Sequence, residues 1–170
     1  MSESLTLYKL MILYMLDKVN FPLSNAQVCE FILDREYTTY FTLQQAISEL
    51  LEASFIRVET TGNTSLYHIT AEGRSTLEYF GRKISDAIKE DIDTFLKEHR
   101  YELRNEVSVR ADYYKTSDGE YAARCLVKEK DATLIELTLT VPAEEQAASI
   151  CANWKQKNQK IYSALMEELL

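Results

Sequence analysis

At 170 residues, with 46% apolar and 27% charged side chains, the chain suits one domain or two small ones built around a real core. Its formal net charge of −8 and pI near 4.9 set up an overall field that repels phosphate, so any affinity for nucleic acid needs a local patch. No apolar run approaches the roughly 20 residues of a membrane span, and Met1-Ser2-Glu3-Ser4 has no basic leader start, so a cytoplasmic location without a membrane partner is expected.

The first predicted helix runs from Leu5 to Val19, with Ser2 or Ser4 as its cap. Thr6, Lys9 and Asp17 leave only a narrow polar strip between Leu5, Leu7, Tyr8, Leu10, Met11, Ile12, Leu13, Tyr14, Met15, Leu16 and Val19. That stripe is wider than one small core needs, and calls for cover by the C-terminal half or by a second copy in a homodimer. Asn20-Phe21-Pro22-Leu23 breaks the helix. Ser24, with Gln27 at the box position, then caps a second one carrying Ala26, Val28, Cys29, Phe31, Ile32 and Leu33.

The connection Asp34 to Phe41 is rich in hydroxyls, and Tyr37, Thr38, Thr39 and Tyr40 could donate to phosphate oxygens. Aromatic residues in such a turn usually pack, so Tyr40 and Phe41 are expected inside. Thr42 and Gln45 make a capping-box start for the third helix, to Ser54, with Leu43, Ile47, Leu50 and Leu51 on its apolar side. Thr42, Gln44, Gln45, Ser48, Glu49 and Glu52 are left on or near the exposed side, with no Lys or Arg among them.

Phe55 to Glu59 and Ser65 to Ile69 alternate with period 2 around Gly62-Asn63, which tolerate positive φ; this predicts a β-hairpin. Three helices followed by a hairpin make a winged helix over residues 1–80. Thr70 should cap the following helix, with Glu72 in its first turn. Ala71 to about His99 reads as one long helix or two in line, Gly81 being the weak point. Leu103 to Tyr113, Tyr121 to Lys128 and Thr133 to Val141 read as an antiparallel meander, with a turn at Asp118-Gly119. A helix from Ala143 to Leu169 should lie across its apolar face, with Glu144 and Glu145 complementing the helix dipole. The expected fold is therefore α+β: an N-terminal winged helix-turn-helix, then residues 81–170 as a long connecting helix and a C-terminal three-stranded antiparallel sheet covered by a long C-terminal helix.

Leu50-Leu51-Glu52-Ala53-Ser54-Phe55-Ile56, the hairpin, and Tyr67-His68-Ile69-Thr70-Ala71-Glu72-Gly73 resemble the winged-helix core of bacterial regulators of the PadR and MarR type. The run Tyr37 to Gln45, together with Val141-Pro142 to Trp154, is similar to an uncharacterised family of short winged-helix proteins from clostridial and related bacteria. That resemblance covers nearly the whole chain and implies a DNA-binding-like domain joined to an α/β tail, with no established reaction or ligand. In the regulators the matching helix enters the major groove and the wing touches the flanking minor groove. The resemblance thus places Thr42, Gln44, Gln45 and Ser48 on the reading helix, and Asn63 and Thr64 on the wing.

The residues themselves narrow the chemistry. Cys29, Cys125 and Cys151 are odd in number, far apart and without CxxC spacing, which suits buried reduced thiols. His68 and His99 stand alone, so no metal centre is built from them. There is no Gly-rich phosphate loop, GxSxG or HExxH, and the chain is read as a non-enzyme without a cofactor. Residues 1–80 hold five Lys and Arg against ten Asp and Glu. Arg35, Arg57 and Arg74 could form a local phosphate clamp, Thr39 and Tyr40 could add phosphate contacts, and Gln44 or Gln45 could bond bidentately to adenine. In the tail, Arg104, Arg110, Arg124 and Lys128 interleave with Glu106, Asp112 and Glu136, as in a solvent face of cross-strand ion pairs or a surface for an effector or protein partner. The expected function is a transcriptional regulator that binds double-stranded DNA as a homodimer. The alternative is an acidic winged-helix module that binds another protein and no DNA.

Overall fold

A computed structural model describes residues 3–61, 64–129 and 132–170, with Thr61 described by its backbone alone. The expected Gly62-Asn63 turn and the Ser2 cap lie outside the described residues. The described residues form an α+β fold of six α-helices, the last of them a long C-terminal helix, and two three-stranded antiparallel sheets. By contact the chain divides into two compact units, Met1–Val107 and Ser108–Leu170.

In the first unit, α1 (Glu3–Lys18) leads through a short strand β1 (Leu23–Ser24) into α2 (Asn25–Asp34) and α3 (Tyr40–Glu52). The strands β2 (Ile56–Thr61) and β3 (Thr64–Ile69) follow, then α4 (Ala71–Phe80) and α5 (Asp86–Ser108). The capping box expected at Ser24 is present: the Gln27 N–H donates to Ser24 Oγ at 3.1 Å and the Ser24 N–H to Gln27 Oε1 at 2.9 Å. The same residue sits in β1, which pairs with β3 so that the sheet order is β1-β3-β2. A strand of two residues carries no readable period, and the sequence reading misses it.

The apolar circumference of α1 is consumed by its own chain. Leu10 to Leu16 are buried without interruption, α1 packs on α3, α4 and β3, and the Tyr14 hydroxyl donates to Asp93 of α5 at 2.8 Å. The width of that stripe therefore asks for no second copy. Thr70 caps α4 as expected, accepting from the Gly73 N–H at 3.1 Å.

The helical stretch expected from Ala71 to His99 is interrupted. A 3-10 turn over Gly81–Lys83 follows α4, and Ile84 is extended before α5 begins. At its other end α5 runs to Ser108, so Leu103 to Ser108 is helix where a strand is expected. Leu103 and Val107 lie four residues apart, a spacing that fits both periods. Set beside Ile92 and Leu96 they continue the buried seam of α5, and helix prevails. Hence the buried seam of α5 belongs to the first unit's core, which by contact extends to Val107.

In the second unit β4 (Val109–Lys115), β5 (Tyr121–Glu129) and β6 (Ala132–Val141) form the meander in that order. Gly119 takes φ 84° in the Asp-Gly turn, a conformation that suits glycine. The helix α6 (Glu144–Leu169) packs on the sheet through Ala147, Cys151 and Trp154, which meet Val109, Ala123 and Cys125. Trp154 Nε1 donates to the Leu126 carbonyl at 3.2 Å, fixing the helix over the central strand.

Candidate functional site

Two faces of α3 have opposite fates. Leu43, Ala46, Ile47 and Leu50 are buried in the core, while Phe41, Gln45, Ser48 and Glu52 follow one another at helical spacing on the exposed side. The cap differs from expectation. Thr39, extended at φ −90° and ψ 162°, is the N-cap, and Thr42 is the N3 residue whose N–H reaches back to Thr39 Oγ1 at 3.4 Å. The two hydroxyls also bond at 3.1 Å. Thr39 prevails because starting the helix one turn earlier places Tyr40 and Phe41 in its first turn.

Those aromatics are not packed inside. Tyr40 is 54% exposed and Phe41 85%, with their rings edge to face on each other. With Leu43, Ala46, Ile47 and Leu50 forming the buried seam of α3, helical phase turns position 41 to the opposite side. Tyr37 takes the inward position instead: it stacks near Phe31 and donates to Asp91 at 2.7 Å.

Gln44, expected to face outward, turns toward α2. Its Nε2 donates to Asn25 Oδ1 at 3.1 Å and to Cys29 Sγ at 3.3 Å, and Tyr67 OH donates to the same Asn25 oxygen at 3.2 Å. This half-buried amide fastens α3 to α2 and leaves Gln45 as the carboxamide on the open face. Burial raises the Cys29 thiol pKa, with the Gln44 hydrogen bond opposing it. Glu49 also turns inward, to Lys9 of α1 at 3.0 Å, with its Oε2 buried and without a partner.

Nor do the three arginines form the expected clamp. Arg35 Nε donates to Asp91 at 3.0 Å and its guanidinium lies over Phe31 at 4.4 Å. Arg74 pairs with Asp17 of α1 at 3.4 Å. In each case the guanidinium is drawn to a carboxylate of another helix. Arg57 is exposed on β2 opposite His68, and Thr64 is exposed at the start of β3. Asn63 lies outside the described residues. Thr39, Tyr40, Phe41, Gln45 and Ser48 are therefore exposed at the cap and on α3, with Thr42 half-buried, and the hairpin that follows bears Arg57 and Thr64. Phe41 is, with Tyr40 and Gln44, among the residues the sequence reading placed wrongly. Its spacing to Gln45, Ser48 and Glu52, opposite the Leu43-Ile47-Leu50 seam, was the signal that could have placed it.

In the second unit Arg124 pairs with Glu136 across β5 and β6 at 2.8 Å, the cross-strand ion pair expected there. Arg104 lies in α5, outside that sheet. Cys29, Cys125 and Cys151 are all buried free thiols. Among the described residues no three His, Cys, Asp or Glu side chains stand together to hold a metal ion, and no helix is long and apolar enough to cross a membrane.

No curated protein and no solved structure matches the chain. One family does match, over residues 8–169, which is almost the full length of both units. The chain belongs to that family, described as Domain of unknown function (DUF4364).

Proposed function

We propose that residues 1–80 are a winged helix, and that the chain is a transcriptional regulator which binds double-stranded DNA as a homodimer through the open face of α3. The observation that supports this reading is the order α1-β1-α2-α3-β2-β3 with sheet order β1-β3-β2, together with an α3 that buries Leu43, Ala46, Ile47 and Leu50 and exposes Phe41, Gln45 and Ser48. Gln45 is the residue for a base edge, since a carboxamide can bond bidentately to adenine. Ser48, Thr39, Thr42 and Tyr40 serve as hydroxyl donors to phosphate or base, and Arg57 and Thr64 as wing contacts. With Arg35 and Arg74 committed to Asp91 and Asp17, few cations take part, and the salt dependence of binding is shallow.

The test is fluorescence anisotropy of the full chain against sheared genomic DNA at low and moderate salt. Binding at low salt that weakens as salt rises supports the reading. No binding even at low salt overturns it, because phosphate contacts are strongest there.

One observation favours a second reading, a protein-interaction module: Phe41 is 85% exposed at the start of a face that carries Glu52 and no Lys or Arg. This reading expects no DNA retention, and a protein partner that is lost on Phe41→Asp or on charge reversal Glu52→Lys. Equal recovery of that partner with either variant counts against it. Glu49 is unsuitable for the test, since it holds Lys9 across the α1–α3 contact.

A further inference from the structure

Among the described residues, β6 has β5 on one side and no strand on the other. The two edges of this sheet are guarded differently. Strand β4 carries Arg110, Asp112 and Lys115 within seven residues. The ten residues of β6 carry Glu136 alone, which is drawn onto Arg124 of β5. Charges along an edge discourage another strand from adding to it, and β6 lacks them. Its register on β5 is irregular at Leu134, where Val127 faces Ile135 but Lys128 faces Thr133; from Ile135 to Val141 it is regular.

No residue of β6 is buried, although Ile135, Leu137, Leu139 and Val141 lie on the side that α6 covers over the neighbouring strands. The helix sits chiefly over β4 and β5, and Leu139 remains 47% exposed. The open edge thus combines an unpaired row of backbone N–H and C=O groups with a half-covered apolar row.

We propose that this edge pairs with the same edge of a second copy of the chain, antiparallel about a two-fold axis at Thr138. The regular stretch reads Ile-Glu-Leu-Thr-Leu-Thr-Val, and Thr138 is its centre. Turned about that point, Ile135 meets Val141 of the second copy, Leu137 meets Leu139, Glu136 meets Thr140, and Thr138 meets itself. Apolar side chains meet apolar ones on the helix-covered side, and threonines and glutamate meet threonines on the other. No two glutamates oppose each other. An antiparallel two-fold keeps side-chain phase when it is centred on a residue, so self-pairing satisfies the alternation by symmetry, whereas a strand of another protein would have to match it independently. The pairing supplies the homodimer invoked in the DNA-binding reading and is measured without DNA, so either can fail alone.

The experiment is sedimentation velocity of the full chain over a concentration series, with Thr140→Glu and Thr140→Lys beside the parent. Thr140 is exposed and faces Ala122 on β5, diagonal to Arg124, and circular dichroism verifies the folding of both variants. In the paired copies Thr140→Glu sets a carboxylate against Glu136 of the second copy, twice per dimer, and is expected to weaken association on the order of ten-fold. Thr140→Lys sets an ammonium there and is expected to tighten it several-fold. A parent chain that stays monomeric overturns the proposal and leaves the edge to a strand of another protein. A dimer that responds equally, or not at all, to the two opposite charges also overturns it.

Discussion

In residues 3–107 the core passes through every element from α1 to α5 and takes in side chains as large as Phe31, Met11 and Met15. In residues 108–170 the buried apolar side chains are Val109, Ala122, Ala123, Cys125, Leu126, Ala147, Cys151 and Trp154. Small residues let α6 lie close to the sheet, and among the described residues Trp154 is the largest buried side chain in the layer between, with Ile135, Leu137, Ile150 and Ile161 packed partly buried around it. The first unit also fixes its helix starts with side-chain caps at Ser24, Thr39 and Thr70. At the start of α6 the residue is Ala143, which has no capping oxygen, and only the return bond from its N–H to Gln146 Oε1 is made, at 3.2 Å. One half of the molecule has a large core with capped helix starts, and the other a layer of mostly small buried residues with an uncapped covering helix.

The comparison is broken most sharply at Trp154. Trp154→Ala removes the filler and the bond to Leu126, and is expected to cost about 3–5 kcal/mol, read by denaturant unfolding followed by circular dichroism. Loss below about 1 kcal/mol would show that the second unit does not depend on it. Next comes Gly73→Ala in the first unit. A Cβ there runs into the Phe55 carbonyl oxygen and against Ile69, so despite the better helix propensity of alanine a destabilisation of about 1–3 kcal/mol is expected. The caps form a matched pair of smaller effects. Ser24→Ala should lower stability by about 0.5–2 kcal/mol, while Ala143→Ser should raise it by somewhat less, because α6 starts at an exposed position.

An alkaline titration sharpens the contrast without changing volume. Burial, then the neighbouring Cys151 and Asp112, push the Cys125 thiol from its ordinary 9.0 up to about 11. A raised folded-state value favours the protonated form in the folded chain. Its contribution is full below about pH 9 and is lost as pH climbs through about 11. Cys125→Ala should flatten that part of the stability profile. In the first unit Tyr37, pushed up to about 12 by burial and its bond to Asp91, adds a loss of the same sign at higher pH. The smallest expected effect is Arg57→Ala, which should weaken DNA binding uniformly across sequences and lower the salt slope by about 1.

Much of this architecture was legible in residues, because its signals were local. Ser24 with Gln27, Thr70 before Ala71, Asp118-Gly119, and the alternation of β2, β3, β5 and β6 each carry their own instruction. What was not legible depended on competition between distant parts. Leu103 and Val107 satisfy two periods, and only the seam already set by Ile92 and Leu96 decides for helix. Arg35 and Arg74 read as available cations until Asp91 and Asp17 arrive from other helices to take them. Gln44 reads as exposed by helical phase, yet it lies at the margin of the buried face where Asn25 and Cys29 can reach it. Phe41 was set inside on the general habit of aromatics, whereas the helix begins early enough to turn it out. The open face of α3 was thus legible as a location, and its membership changed: Gln45 and Ser48 stayed, Phe41 joined, and Gln44 left.

The most direct measurement is hydrogen exchange of the full chain, alone and with the genomic fragments it retains at low salt. Slowed exchange from Thr39 to Ser48 and in β3 from Thr64, with α6 unchanged, is the expected result. Unchanged exchange across α3 in the presence of retained DNA, or no DNA retained at all, would contradict the assignment of that face.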